Sequence, residues 1–161
     1  MVGIKVVSTG HAVPDKVVTN DDLSRVVDTN DEWIYSKTGI KERHFCENET
    51  NWELALKAAD IAIERAGIDK SEIGMLIVAT FTPDYATPSI ACVLHEKMGL
   101  RTDIPSFDLN AACAGYVYGL KVAASLLQNS KERYALVIGS EQISTRLDME
   151  EIGRASCRER V

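Results

Sequence analysis

Apolar positions along this chain follow two rhythms, compact β-branched runs and longer stretches with helical spacing. Ile4 to Thr9 (Ile-Lys-Val-Val-Ser-Thr) is β-branched and ends at Gly10, which predicts a buried strand and its turn. Met75 to Thr80 and Tyr134 to Gly139 are apolar on both faces, as central strands of a parallel sheet are, and Ser106 to Leu109 reads as a shorter strand. Between them lie helical stretches. Thr19-Asn20-Asp21-Asp22 opens a short helix carrying Leu23, Val26 and Val27, and Thr29 to Lys37 forms another that presents Trp33. Thr50-Asn51-Trp52-Glu53 has the spacing of a capping box, and the helix behind it runs to Ala66 and stops at Gly67. Its Ala55, Ala59, Ala62 and Ala66 form a stripe that allows close approach to a neighbour. Pro88 to Met98 and Ala112 to Gln128 complete the helices. Strands alternating with helices predict an α/β layered fold with a largely parallel sheet.

Composition narrows the class of protein without changing that picture. The chain has 161 residues, 45% hydrophobic and 26% charged, as ordinary globular domains do. A formal net charge of −6 argues against nucleic acid, whose phosphates need clustered Lys and Arg. No apolar run is long enough for a bilayer, and the opening Met1-Val2-Gly3-Ile4-Lys5 lacks the layout of a secretory signal, so no membrane is expected and a cytoplasmic location is. The cysteines Cys46, Cys92, Cys113 and Cys157 form no C-x-x-C pair and no Cys/His metal spacing, so neither a metal site nor a disulfide framework is expected.

The last ten residues, Ile152 to Val161, continue no pattern upstream. They are arginine-rich, lack a helical apolar stripe, and resemble one reading frame of a common DNA-sequencing adapter. Residues 1–151 are therefore read as the domain and residues 152–161 as an artefactual tail. Setting aside Arg154, Arg158, Arg160 and Glu159 takes the net charge to −8, and Cys157 leaves with them.

Cys113 is the candidate for chemistry. Phe107-Asp108-Leu109-Asn110-Ala111-Ala112-Cys113-Ala114-Gly115 places it where a strand turns into a helix. Free N–H groups and the macrodipole at a helix start favour thiolate, and a thiolate both attacks thioesters and leaves from them. The small neighbours leave room for a substrate. A cysteine opening an alanine-rich helix is nonetheless more often a packing residue, so this pattern leaves both readings open.

The segment Asn110-Ala111-Ala112-Cys113-Ala114-Gly115-Tyr116 resembles the active-site segment of the β-ketoacyl-acyl carrier protein synthase III family, in the thiolase-like superfamily. So do Thr19 to Leu23, Val27 to Ile34, Thr38-Gly39-Ile40-Lys41-Glu42-Arg43, Ala79-Thr80, Pro88-Ser89 and Gly139-Ser140-Glu141 at their spacings. The resemblance implies the thiolase-like αβαβα architecture, of which this chain supplies the first of two similar halves. It implies that Cys113 takes an acyl group from acyl-CoA and passes it to malonyl-acyl carrier protein, in a homodimeric enzyme with no cofactor beyond its substrates. The family's catalytic histidine and asparagine belong to the second half. His11, His44 and His95 match neither and are read as structural or surface residues.

By the same resemblance Trp33 stacks on the CoA adenine while Thr29 and Lys37 contact the nucleotide end. Lys37 departs from a frequent arginine and loses its planar stacking surface. The family's next CoA-contacting arginine would fall just past Glu151, and Arg154 is not its equivalent. Thr87 matches the position that closes the partner's acyl pocket, where several relatives carry phenylalanine, and threonine leaves room for longer primers. It is also placed to cap the Pro88 helix. Arg43 with Glu42 is read as an ion pair, Cys46 and Cys92 as packing residues, and Trp52 as a core or interface side chain. The alternatives are a sister condensing enzyme of secondary metabolism, a non-catalytic acyl-CoA-binding or dimerisation module, and a redox-sensing cysteine protein, which lacks a resolving cysteine nearby. A hydroxymethylglutaryl-CoA synthase fits the Ala114-Gly115-Tyr116 and Trp33 segments less well.

Overall fold

A computed structural model describes residues 3–128 and 130–147; the adapter-like tail, with Arg154 and Cys157, lies outside them. Within the stretch expected as one domain the chain forms two compact units. The first comprises residues 3–12 and 50–141, the second residues 13–49 and 142–147.

The first unit is a layered α/β body around strand β3 (Ile73–Ala79), all seven residues of which are buried. β4 (Ser106–Leu109) and β5 (Tyr134–Gly139) flank it, both parallel to it, in the order β4-β3-β5. Helices α3 (Asn51–Ala66) and α4 (Ile90–Met98) bury Ala55, Ala59, Ile63, Ile90, Leu94 and Met98 in one core with Ile73, Leu76 and Val78. Helix α5 (Gly115–Leu127) covers the other face, where Met75, Ile77 and Ala123 form a second core. The helix can lie so close because it faces the sheet with Gly115, Gly119 and Ala123, one per turn. A Cβ at Gly115 would sit 3.2 Å from the Ala79 Cβ, and one at Gly119 would sit 3.1 Å from a Val137 methyl.

Local signals set the helix ends. The Thr50–Glu53 capping box forms on both sides, and Gly67 and Gly99 end α3 and α4 in the left-handed region. Helix α4 begins two residues later than Pro88, because Ser89 caps it and the Asp108 carboxylate accepts the N–H groups of Ile90 and Ala91, each at 2.8 Å. Thr87 therefore does not cap this helix.

Two expectations are overturned by one missing neighbour. Ile4 to Thr9 is not a strand, and Ile4, Val6 and Val7 are exposed. A cavity of about 850 Å³ is lined by residues 3–10 on one side and by β5 on another, with α3 and α5 contributing much of the remainder. An extended segment becomes a strand only when a neighbouring strand takes its N–H and C=O groups, and no described strand pairs with it; the Thr9 carbonyl accepts from the Arg65 side chain, at 3.0 Å. β5 is accordingly an edge strand and only partly covered, rather than doubly buried.

The second unit is built on an antiparallel pair that the apolar rhythm did not predict, β1 (Lys16–Thr19) and β2 (Glu42–Phe45). Thr19 ends β1 and caps α1 (Asn20–Ser24) through a capping box with Asp22, whose carboxyl is held below its ordinary range by the Thr19 hydroxyl and N–H. Helix α2 (Asp31–Thr38) follows, capped by Asn30 and ended by Gly39. Arg43 does not pair with Glu42; it donates to Asn20 Oδ1 at 2.5 Å and to the Val18 carbonyl at 3.2 Å. A side chain alternates faces along a strand, which turns Glu42 outward and Arg43 inward. The Glu49 carboxylate accepts the N–H groups of Glu47, Asp15 and Asn48, which pulls its pKa down to about 2.

Two outcomes follow for stability. Asp108→Ala should lower the denaturation free energy by about 1–2 kcal/mol, read from the urea midpoint, because it leaves two helix-end N–H groups without their acceptor. A carboxyl depressed on folding stabilises above its unfolded pKa and stops doing so as pH falls through the folded one. Glu49→Gln should therefore flatten the pH dependence of the thermal midpoint between the ordinary value of 4.5 and about 2.

Candidate active site

Cys113 lies in the turn that leaves the carboxyl end of β4. Residues Ala112 to Ala114 form one 3-10 turn, and α5 starts directly behind them at Gly115. The turn is sharp. Ala111 has φ −146° and ψ 31°, and Ala112 has φ +44°, which side chains with a Cβ rarely adopt. Such strain persists only where the surroundings impose it. Here they do: the Leu109 carbonyl accepts the Thr80 N–H at 3.1 Å, the Ala111 carbonyl accepts the Ala114 N–H at 3.1 Å, and Gly115 abuts Ala79. The result lifts Cys113 into an exposed position at the amino end of α5.

The loop after β3 reaches the same edge of the sheet, because β3 and β4 are adjacent and parallel. It is held by a buried polar group, Asn51, whose place in a capping-box string hides its burial. Asn51, fully buried, donates to Thr80 Oγ1 at 3.1 Å, to the Thr82 carbonyl at 2.9 Å and to the Ser140 carbonyl at 3.2 Å, and accepts from the Ser140 hydroxyl. The Glu141 carboxylate accepts the N–H groups of Phe81 and Thr82 and the Thr82 hydroxyl. Asp84 in turn accepts the first two N–H groups of α3. Thr87 sits farther along this loop and is exposed.

In the second unit, Trp33 and Lys37 are four residues apart on α2 and so share a face. Trp33 is 57% exposed, an aromatic surface open to a stacking partner instead of a core anchor. Lys37 makes no ion pair among the described residues. Thr29 precedes the helix; its Oγ1 is buried and lacks a hydrogen-bond partner among the described residues.

The family profile described as 3-oxoacyl-[acyl-carrier-protein (ACP)] synthase III matches residues 107–158, the segment that holds Cys113. A β-ketoacyl-[acyl-carrier-protein] synthase III from Acholeplasma laidlawii is 49% identical over 149 residues, 92% of this chain and 48% of that protein. Among solved structures, the 3-oxoacyl-[acyl-carrier-protein] synthase III from Aquifex aeolicus superposes with a TM-score of 0.88 at 39% identity, over 96% of this chain and 49% of that one. The chain belongs to the β-ketoacyl-acyl carrier protein synthase III family. It spans about half the length of the curated relatives it matches. A priming β-ketosynthase of the R1128 polyketide pathway is also similar, with a TM-score of 0.86 at 31% identity over 91% of this chain and 44% of that one. The layered α/β fold is thus shared by synthases III and by a priming ketosynthase.

His95 accepts or donates at the Ser106 hydroxyl, 2.7 Å away, and His44 meets the Pro14 carbonyl at 2.7 Å, both local structural contacts. Trp52 packs against the larger core and has Lys97 over its ring. Cys46 is half-buried, but Cys92 is exposed, because α4 turns it away from the core that takes Ile90, Ala91 and Leu94. Among the described residues no group of His, Cys, Asp and Glu is placed to hold a metal, and no helix is long and apolar enough to cross a membrane.

The strain at Ala112 is open to test. Ala112→Gly should leave stability and Cys113 alkylation nearly unchanged. Ala112→Val should cost about 1–2 kcal/mol in the denaturation midpoint, since a β-branched residue tolerates positive φ worst.

Proposed function

We propose that this chain is the acyl-accepting half of a β-ketoacyl-acyl carrier protein synthase that starts fatty acid synthesis. The observation that carries the reading is an exposed Cys113 thiol on a strained turn at the amino end of α5. The sulfur attacks the carbonyl of an acyl-CoA, the carbon–sulfur bond to CoA breaks, and CoA leaves as its thiol. In the complete enzyme the acyl-Cys113 thioester then meets malonyl-acyl carrier protein. Loss of carbon dioxide supplies the carbanion that attacks the thioester carbonyl, which frees the Cys113 thiolate and gives 3-oxoacyl-acyl carrier protein. The reaction draws on acyl-CoA as a substrate and on no resident cofactor. We place it in the cytoplasm, in a homodimer.

Trp33 supplies the surface on which the CoA adenine stacks, Lys37 a charge for its phosphates, and Thr29 a hydroxyl without a partner among the described residues. Thr87 borders the acyl pocket of the partner subunit. The proton-handling histidine and asparagine of the family lie in the second half, as does part of the oxyanion hole. Loss of one oxyanion donor alone costs about 3 kcal/mol of transition-state stabilisation, so this half is inactive in condensation by itself. A second reading, a starter-unit enzyme of secondary metabolism using the same cysteine, is favoured by the likeness to a priming β-ketosynthase.

The full-length protein carrying this sequence should gain an acyl mass on the Cys113 peptide when incubated with acetyl-CoA or longer acyl-CoAs, and Cys113→Ser should abolish it. A folded protein that gains no adduct from any acyl-CoA would sink the acyl-transfer mechanism and leave a binding or dimerisation module. Thr87→Phe should shift the adducts toward acetyl and away from longer primers. The 161-residue chain alone should release no carbon dioxide from a malonyl thioester.

A further inference from the structure

Helix α2 has little to hold it in place by packing. Of its eight residues only Ile34 is buried, while Trp33 and Tyr35 are exposed. A helix this short is marginal by propensity, so something other than an apolar face must set its direction.

That something is the side chain of Asn20, 1% exposed. Its Nδ2 donates to Asp31 Oδ1 at 2.7 Å and to the Ile40 carbonyl at 2.8 Å. Asp31 is the first residue of α2, and Ile40 follows its Gly39 cap, so one amide ties both ends of the helix. The Oδ1 accepts from Arg43 Nη2, and Arg43 Nη1 donates to the Val18 carbonyl, which anchors the same amide to the β1–β2 pair. The Asn20 N–H also donates to the Lys41 carbonyl, at 3.2 Å. Two donors and one acceptor are used on one planar group, and among the common side chains only a primary amide offers that set.

We propose that Asn20 is the positioning residue of the nucleotide site, aligning α2 so that Trp33 and Lys37 meet the two ends of one nucleotide. The proposal rests on the reading of α2 as the CoA helix. A stacked ring and a phosphate contact act together only if their spacing is fixed before binding; otherwise the ordering of the helix is charged against affinity. Aspartate at position 20 keeps the Arg43 contact but sets a carboxylate against Asp31 and the Ile40 carbonyl. Adding asparagine at position 31 restores a donor to that carboxylate.

The test titrates CoA into the full-length protein carrying this sequence and follows hydrogen exchange of the α2 amides in parallel. Asn20→Asp should weaken CoA binding by about tenfold and speed α2 exchange, and Asn20→Asp/Asp31→Asn should recover most of both. Asp31→Ala, which keeps Asn20 but removes one of the two acceptors of its Nδ2, should give a smaller loss in the same direction and serves if Asn20→Asp does not fold. Trp33→Ala should lose CoA binding with exchange unchanged. An Asn20→Asp chain that binds CoA within twofold of the unaltered one, or a double variant no better than the single, would overturn the positioning role. If the unaltered chain and Trp33→Ala bind CoA alike, the nucleotide reading itself fails and takes the positioning role with it, whatever exchange shows of the lock.

Discussion

The unit that carries Cys113 depends on the complete burial of β3. Seven consecutive buried residues call for their N–H and C=O groups to be paired and both faces to be covered. β4 and β5 pair along its two edges, with an irregularity between Ile73 and Leu76, and α3, α4 and α5 cover its faces. Once that strand is fixed, the positions where its parallel neighbours end are fixed too. The Thr80 N–H finds the Leu109 carbonyl, and the Ser140 N–H finds the Ala79 carbonyl. The turn that holds Cys113 is the next thing the chain does after β4, and it is forced to be tight because α5 must come back onto the same strand.

Burial on one side and strain on the other are coupled at that turn. A longer connection would let Ala112 relax from φ +44°, but α5 would then lose the seat that Gly115 and Gly119 allow against Ala79 and Val137. The favourable packing of a helix laid directly on the sheet outweighs the cost of one residue with a positive φ, which is of order 1–2 kcal/mol. The consequence is chemical. A cysteine placed by packing sits at a helix start with its sulfur outward, and the small residues that make the packing possible also leave the sulfur approachable.

The legible parts of the fold were those that local chemistry decides. The apolar run of β3, the Thr50 capping box, the helix start at Thr19 and the glycine after α3 announce themselves in the sequence, and Cys113 stands out as a candidate by its place between a strand and alanines. What the sequence concealed depends on partners far along the chain. Ile4 to Thr9 has the composition of a strand, yet composition supplies no neighbour, and an 850 Å³ cavity lies where one would be needed. The β1–β2 pair is the reverse case. Its residues alternate and are half exposed, so no apolar run marks it, and register with a partner makes it a sheet. Arg43 was visible as a charge needing a partner, but the nearest opposite charge in sequence points the other way.

Buried amides are the least legible of all, because an asparagine written among polar residues looks like any turn or cap. Asn20 stands in a Thr-Asn-Asp-Asp string and Asn51 in a capping box, and in both cases the neighbours account for the local pattern completely. Each is nonetheless 1% exposed or less and saturated with hydrogen bonds to distant segments. A buried polar group without its partners would be expensive, so its presence means that several segments must arrive together or not at all. In the first unit that condition ties the loop after β3 to the end of β5, and in the second it ties both ends of α2 to the β1–β2 pair. Apolar packing tolerates small shifts, whereas a network of donors and acceptors at 2.7–3.2 Å does not. The two asparagines are therefore where each unit trades adaptability for fixed geometry.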